Sequence, residues 1–121
     1  MIRSISVAVL GVADQDVMCD FFVDKLGFTV TTDAEMWPGA RWLELAPPGG
    51  GTGLVLSAAS DFGQPPDKGC PMTFATADLD ATAAELRGAG LEVEGPTTEP
   101  WGRYLRVTDP EGRTLVVNDR G

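Results

Sequence analysis

Trp37, Trp42 and Glu44 in the first half of the chain, and Trp101, Tyr104 and Arg106 in the second, form two similar clusters in which aromatic rings stand beside one charged group. Flat rings with a few polar anchors are the usual lining of a small-molecule site. A charged ligand would add cation–π attraction of about 0.5–2 kcal/mol per contact. A second chemistry is available to the same residues: Glu44 as a base, with Arg106 or Arg103 steadying an oxyanion on a small carbonyl compound. Against both stands a structural alternative, in which Glu44 and Arg106 pair with each other and the tryptophans cap the core or sit in a subunit contact. The chain contains no histidine, so the side chain most used for metals and for proton transfer near neutral pH is absent.

The two cysteines, Cys19 and Cys70, do not form a C-x-x-C pair and have no histidine to activate them, and they read as reduced, structural thiols. The net charge of −9 from 9 basic and 18 acidic residues argues against a grip on nucleic acid or on an anionic membrane. It supplies solubility, and it could also steer a cationic ligand. The N-terminal stretch Met1–Leu10 is too short an apolar run for a signal peptide or membrane span, and no later run approaches the ~18 apolar residues required. A cytoplasmic location is expected. The 121 residues, 43 % of them apolar, suit one compact domain.

The elements that would carry these clusters can be read in order. Ile5–Leu10 is a β-branched strand; Asp14 caps a helix over Gln15–Leu26 whose stripe is Met18, Phe22 and Leu26, and Gly27 stops it. Phe28–Thr31, Arg41–Ala46 and Gly53–Ser57 follow as strands between Pro/Gly-rich turns. The order then repeats: Met72–Thr76 as a strand, a helix capped by Asp78 with Leu79, Ala83 and Leu86 inward, a stop at Gly90, and strands at Leu91–Glu94, Arg103–Val107 and Arg113–Asn118. Val12-Ala-Asp-Gln-Asp16 aligns with Thr76-Ala-Asp-Leu-Asp80, Leu26-Gly-Phe-Thr-Val30 with Ala89-Gly-Leu-Glu-Val93, and Pro38-Gly-Ala-Arg-Trp-Leu-Glu-Leu45 with Pro100-Trp-Gly-Arg-Tyr-Leu-Arg-Val107, at offsets of 64, 63 and 62. Three matches in order indicate a duplicated βαβββ unit. The predicted fold is α+β: units at 1–58 and 71–121, joined by a linker at 59–70, forming a curved mixed sheet around a concave groove with helices on the outer face.

Through the repeat and the runs V-A-V-L-G-V-A-D, F-F-V-D-K-L-G-F, F-A-T-A-D-L-D-A-T-A-A-E-L-R and W-G-R-Y-L-R-V-T-D-P-E-G-R, the sequence resembles the glyoxalase/bleomycin-resistance/extradiol-dioxygenase (vicinal oxygen chelate) superfamily over essentially its whole length. In metal-dependent members the resemblance implies a histidine on the first strand of each unit and a glutamate or second histidine on the last. Those places fall here on Val7 and Pro71, and on Val55 and Val116, none of which has a side-chain donor atom. No metal site, no cofactor and no catalytic residue is therefore expected.

Strand alternation assigns the remaining faces. With positions 7, 55 and 116 inward, Ala8, Leu10, Leu54, Leu56, Leu115 and Val117 face the helices, as do Leu43, Leu45, Leu105, Val107, Met72 and Phe74. The groove then receives Trp42, Glu44, Ser57, Thr73, Tyr104, Arg106 and Asn118, with Trp37 and Trp101 on loops at its mouths. These nine residues are the predicted ligand-binding set. The expected function is that of a metal-free small-molecule binding protein similar to the drug-sequestering bleomycin-resistance branch, taking a small aromatic or cationic molecule as a homodimer. The alternative is a glyoxalase-like lyase or isomerase, or a dioxygenase-related enzyme, acting on a small carbonyl compound.

Overall fold

The computed structural model describes residues 1–120 and divides into two compact units, Met1–Asp67 and Lys68–Gly121. The boundary falls inside the predicted linker. Each unit builds its own four-stranded mixed sheet, so the duplication read in the sequence is a duplication of complete sheets.

Unit 1 contains β1 (Val7–Val12), α1 (Gln15–Asp20), β2 (Thr29–Trp37), β3 (Ala40–Ala46) and β4 (Gly53–Ala58). Its strand order is β1-β4-β3-β2, with β1 parallel to β4 and the other pairs antiparallel. The Asp14 carboxylate caps α1 by accepting from Val17 N at 3.0 Å, which satisfies one of the backbone donors that a helix start leaves without a partner. Gln15 Nε2 then ties the helix to the sheet by donating to the carbonyls of Leu56 at 2.8 Å and Arg41 at 3.2 Å. Leu10, Val12, Leu43, Leu45, Leu54 and Leu56 are buried on the sheet, and Met18, Phe21 and Phe22 on the helical segment. Together they form this unit's core.

Unit 2 repeats the plan with β5 (Thr73–Ala75), α2 (Leu79–Gly88), β6 (Val93–Glu99), β7 (Gly102–Thr108) and β8 (Thr114–Asn118), in the order β5-β8-β7-β6. Asp78 caps α2 by accepting from Ala81 N at 3.0 Å. Gly90, at φ +85°, ends it as Gly27, at φ +76°, follows the first helical segment, and both positions suit a residue without a Cβ. Leu79, Ala83 and Leu86 are buried with Leu105, Val107, Leu115 and Val117.

Several expectations need correction. The first helix is not one regular element: after Asp20 the chain widens into a π-helical turn, Phe21–Lys25. The altered angular step allows the adjacent Phe21 and Phe22 both to be buried, edge to face at 5.3 Å, with Phe28 against Phe22 at 5.1 Å. β1 starts at Val7 rather than Ile5, because its parallel partner begins at Gly53 opposite Val7, and Ile5 lies exposed. β2 runs to Trp37 rather than stopping at Thr31, with two bulges along β3. Trp37 is thus the last residue of a strand, not a loop residue. β6 runs from Val93 to Glu99 in place of Leu91–Glu94. The predicted linker is also partly ordered onto unit 1: Ala59–Phe62 forms a 3-10 turn, and Asp67 N donates to Gly11 O at 2.9 Å while its carboxylate accepts from Gly11 N at 2.8 Å.

Candidate functional site

Register fixes which side chains share a face, because partners on neighbouring strands point to the same side of a sheet. In unit 1, Arg41 lies on β3 in alternation with Leu43 and Leu45 and reaches Asp16 of α1 at 2.7 Å, so this is the helix-covered face. The opposite face carries Trp42 and Glu44. Glu44 stands between Thr32 of β2 and Val55 of β4, Val55 faces Val9 of β1, Trp42 is opposite Ala34, and Trp37 is opposite Ala40.

Glu44 is half-buried and held in place. Its Oε1 accepts from the Trp42 indole N–H at 3.1 Å. Its Oε2 rests over Gly53, where an added Cβ would come within 3.1 Å of that oxygen and 3.5 Å of Val7 Cγ1. Trp37 packs edge-on against Phe62 of the 3-10 turn at 5.7 Å, both rings remaining substantially exposed. Val55 is only 3 % exposed, so the face has a covered apolar floor as well as open aromatic walls. Ser57 is opposite Gly11, on the same face as Val55.

In unit 2, Arg103 reaches Asp80 of α2 at 2.9 Å, which again marks the helix-covered face. Arg103 therefore lies on the face opposite to that of Tyr104 and Arg106. The helix-free face carries Thr73 opposite Val116, Ala75 and Tyr104 opposite Asn118, and Arg106 opposite Val116 on one side and Glu94 on the other. The Arg106 guanidinium carbon lies 5.1 Å from the centroid of the Tyr104 ring. Trp101 sits in the β6–β7 turn and is 73 % exposed.

Within its own unit, each sheet therefore brings the expected residues onto one face: Trp37, Trp42, Glu44 and Ser57 in the first, Thr73, Tyr104, Arg106 and Asn118 in the second. The sequence reading missed Thr32, Ala34, Gly53, Phe62 and Glu94. Thr32, Ala34 and Glu94 lie on edge strands whose extent the sequence does not announce, and Phe62 was assigned to a linker. Gly53 had a signal, since a glycine opening an otherwise apolar strand marks a close approach of another group.

The charges on the helix-covered faces are set by the two arginines. Hydrogen bonds from Arg41 hold the Asp33 carboxyl below the usual carboxylate range, and those from Arg103 do the same to Asp80. Burial pushes the Cys19 thiol up, away from a nucleophilic thiolate. A third cluster lies in the turn after β7. The Asp109 carboxylate accepts from the backbone N–H of Glu111 at 2.8 Å and of Arg113 at 3.0 Å, and meets the Arg113 guanidinium at 3.0 Å, with the two side chains 0 % and 2 % exposed. For Arg113, burial alone would disfavour the charge, but the carboxylates of Asp109 and Glu111 more than offset it. Among the described residues no group of three or more His, Cys, Asp or Glu side chains is placed to hold a metal ion.

Fold and face define a class: a duplicated βαβββ protein whose helix-free sheet faces carry aromatic and charged side chains. The chain belongs to the Glyoxalase/Bleomycin resistance protein/Dioxygenase superfamily, whose model matches residues 4–117. It is similar to TnmS3, an antibiotic binding protein from Streptomyces sp. CB03234, at 34 % identity and a TM-score of 0.84 over 97 % of this chain and 95 % of that one. It is similar to a member of the superfamily from Sphaerobacter thermophilus DSM 20745 at 28 % identity and a TM-score of 0.89, over 97 % of both chains. YetH of Bacillus subtilis (strain 168), described as an uncharacterized protein, is 28 % identical over 98 % of this chain and 100 % of its own length. No helix of the described residues is long and apolar enough to cross a membrane.

Proposed function

We propose that the protein binds and sequesters a flat aromatic small molecule, without a metal and without transforming it; the similarity to TnmS3, an antibiotic binding protein, supports a binding role. The observation that carries this reading is the make-up of the helix-free faces. At repeat-related places each presents an aromatic ring with a charged group leaning on it, Trp42 with Glu44 and Tyr104 with Arg106. The strand positions that a metal-dependent relative would use for ligands are filled by Val7, Val55, Pro71 and Val116. Aromatic walls around a few fixed polar groups suit reversible binding of a planar molecule. Trp37, Trp42, Ser57, Thr73, Trp101, Tyr104 and Asn118 are the contacts we assign to it beside the two charged groups. The reading includes a homodimer and a cytoplasmic location, the form and place expected from the sequence.

A thermal-shift screen tests it. Planar aromatic antibiotics should raise the melting temperature in a saturable way, since a ligand at 100 times its Kd stabilises by about 2.7 kcal/mol. Small 2-oxo acids and hydrophobic peptides should not. Turnover of a small carbonyl compound, or a stoichiometric metal found by elemental analysis of the purified protein, would overturn the reading. Light scattering on the eluted protein checks the dimer.

A further inference from the structure

The two half-sites are not equivalent, and the difference lies in how their charges are answered. Positions 44 and 106 correspond in the repeat, and each charged side chain leans on the aromatic residue two places before it. Arg106, however, stands exposed, with Glu94 at the register position across the strand pair, so solvent screens its charge. Glu44 stands between Thr32 and Val55. Among the described residues of its unit no lysine or arginine pairs with it; the one cation on β3, Arg41, is on the other face, bound to Asp16 and Asp33.

A half-buried carboxylate on an apolar floor costs free energy unless it is partnered, and the single indole hydrogen bond leaves acceptor capacity unused. The surroundings keep it fixed rather than letting it swing into water. Trp42 holds one oxygen, and the missing side chain of Gly53 makes room for the other. A rigid anion beside the flat Trp42 ring presents the two features that attract a desolvated organic cation: a charge-assisted acceptor and a π face.

We infer that the Glu44–Trp42 face of unit 1 is a subsite for a protonated nitrogen carried on a planar aromatic frame, so that the sequestered molecule belongs to the basic polycyclic aromatics. The inference rests on the binding reading above and narrows it. Its partner is selected by local charge, not by the overall charge of −9.

Calorimetric titration at 150 mM salt with two three-ring probes tests it: 9-aminoacridine, a cation at neutral pH, and acridone, its neutral counterpart in shape. The wild type should bind 9-aminoacridine about tenfold more tightly than acridone, a difference equal to 1.4 kcal/mol. Glu44→Gln keeps an acceptor for the Trp42 indole and the same bulk over Gly53, so it should erase that preference and leave acridone affinity within about twofold. Glu85→Gln, on the exposed part of α2, removes the same unit of charge from the whole protein and should leave the preference intact. If Glu44→Gln still prefers the cation, or if Glu85→Gln loses the preference equally, the subsite is overturned while the binding reading stands. If neither probe binds the wild type, both are overturned.

Discussion

Arg41 of β3 holds Asp16 of α1 at 2.7 Å, and the relationship recurs in the second unit, where Arg103 of β7 holds Asp80 of α2 at 2.9 Å. The duplicated sequence thus preserves an ion pair between the third strand and the helix as well as an order of elements. Because each arginine commits its strand's odd-numbered face to the helix, the neighbouring Trp42 and Tyr104 turn to the other side. The pair that fastens the helix therefore also aims the aromatic residue.

Arg41 serves two carboxylates, Asp16 and Asp33, whereas Arg103 meets Asp80. Replacing Arg41 by alanine should lower stability to urea by about 1 kcal/mol or less, the range of partly exposed pairs. Arg103→Ala should cost less, because it gives up one carboxylate partner rather than two. The opposite order would show that the pairs do not carry the strand–helix attachment as described.

Stability should fall in acid through Asp33 and Asp80, which Arg41 and Arg103 hold below the ordinary carboxylate range. A carboxyl with a lower folded-state than unfolded-state value binds its proton more readily when the chain is unfolded. Its contribution is complete above the unfolded value of about 3.9 and is lost as pH falls through the folded value. With no histidine in the chain, melting temperature should be nearly flat from about pH 5 to 8 and drop below about pH 4. Arg41→Ala should flatten part of that acid limb; an unchanged limb would remove Asp33 from the account.

The Asp109–Arg113 pair is a different case, because both side chains are inaccessible. Asp109→Ala leaves the buried guanidinium with Glu111 as its remaining carboxylate, at 2.8 Å, and strands two backbone donors, and should cost about 3 kcal/mol in chemical denaturation. Asp80→Ala, at an exposed pair, should cost far less. Comparable losses would mean that Glu111 alone suffices for Arg113.

Gly53→Ala keeps an allowed backbone but brings a methyl to within 3.1 Å of Glu44 Oε2. The neighbour is the end of a side chain, so the fold should survive with little change in melting temperature. The displaced carboxylate should weaken 9-aminoacridine without weakening acridone. Unchanged affinity for the cation would mean that Glu44 does not act from over Gly53.

Trp42→Ala should weaken a bound planar ligand by about 0.5–2 kcal/mol, measured by titration. Trp101→Ala, at an exposed turn, should do less. If both leave affinity unchanged, the rings are not walls of the site.

What the sequence made legible follows from where burial is one-sided. The central strands β3, β4, β7 and β8 alternate between a helix-covered and an open face, and their ends fall within a residue of expectation. The edge strands β2 and β6 were missed over much of their length. Every residue of Thr29–Trp37 is exposed, so neither face imposes an apolar rhythm for period-two reading to detect. The π-helical turn at Phe21 was hidden for the converse reason: consecutive phenylalanines are compatible with a regular helix until the core requires both. Glu44 and Trp42 were found by alternation alone, but their hydrogen bond and the space above Gly53 depend on three strands meeting in register.

Asp67 pairs with Gly11 through both its backbone N–H and its carboxylate. β1 borders the sheet of unit 1, and an open border invites another chain to extend the ladder. At Gly11 the ladder's next places are already taken by the chain's own linker, at a point where an added Cβ would lie 3.4 Å from the Asp67 carboxylate. At that point the border of the sheet is capped by the chain's own linker, through one backbone and one side-chain hydrogen bond.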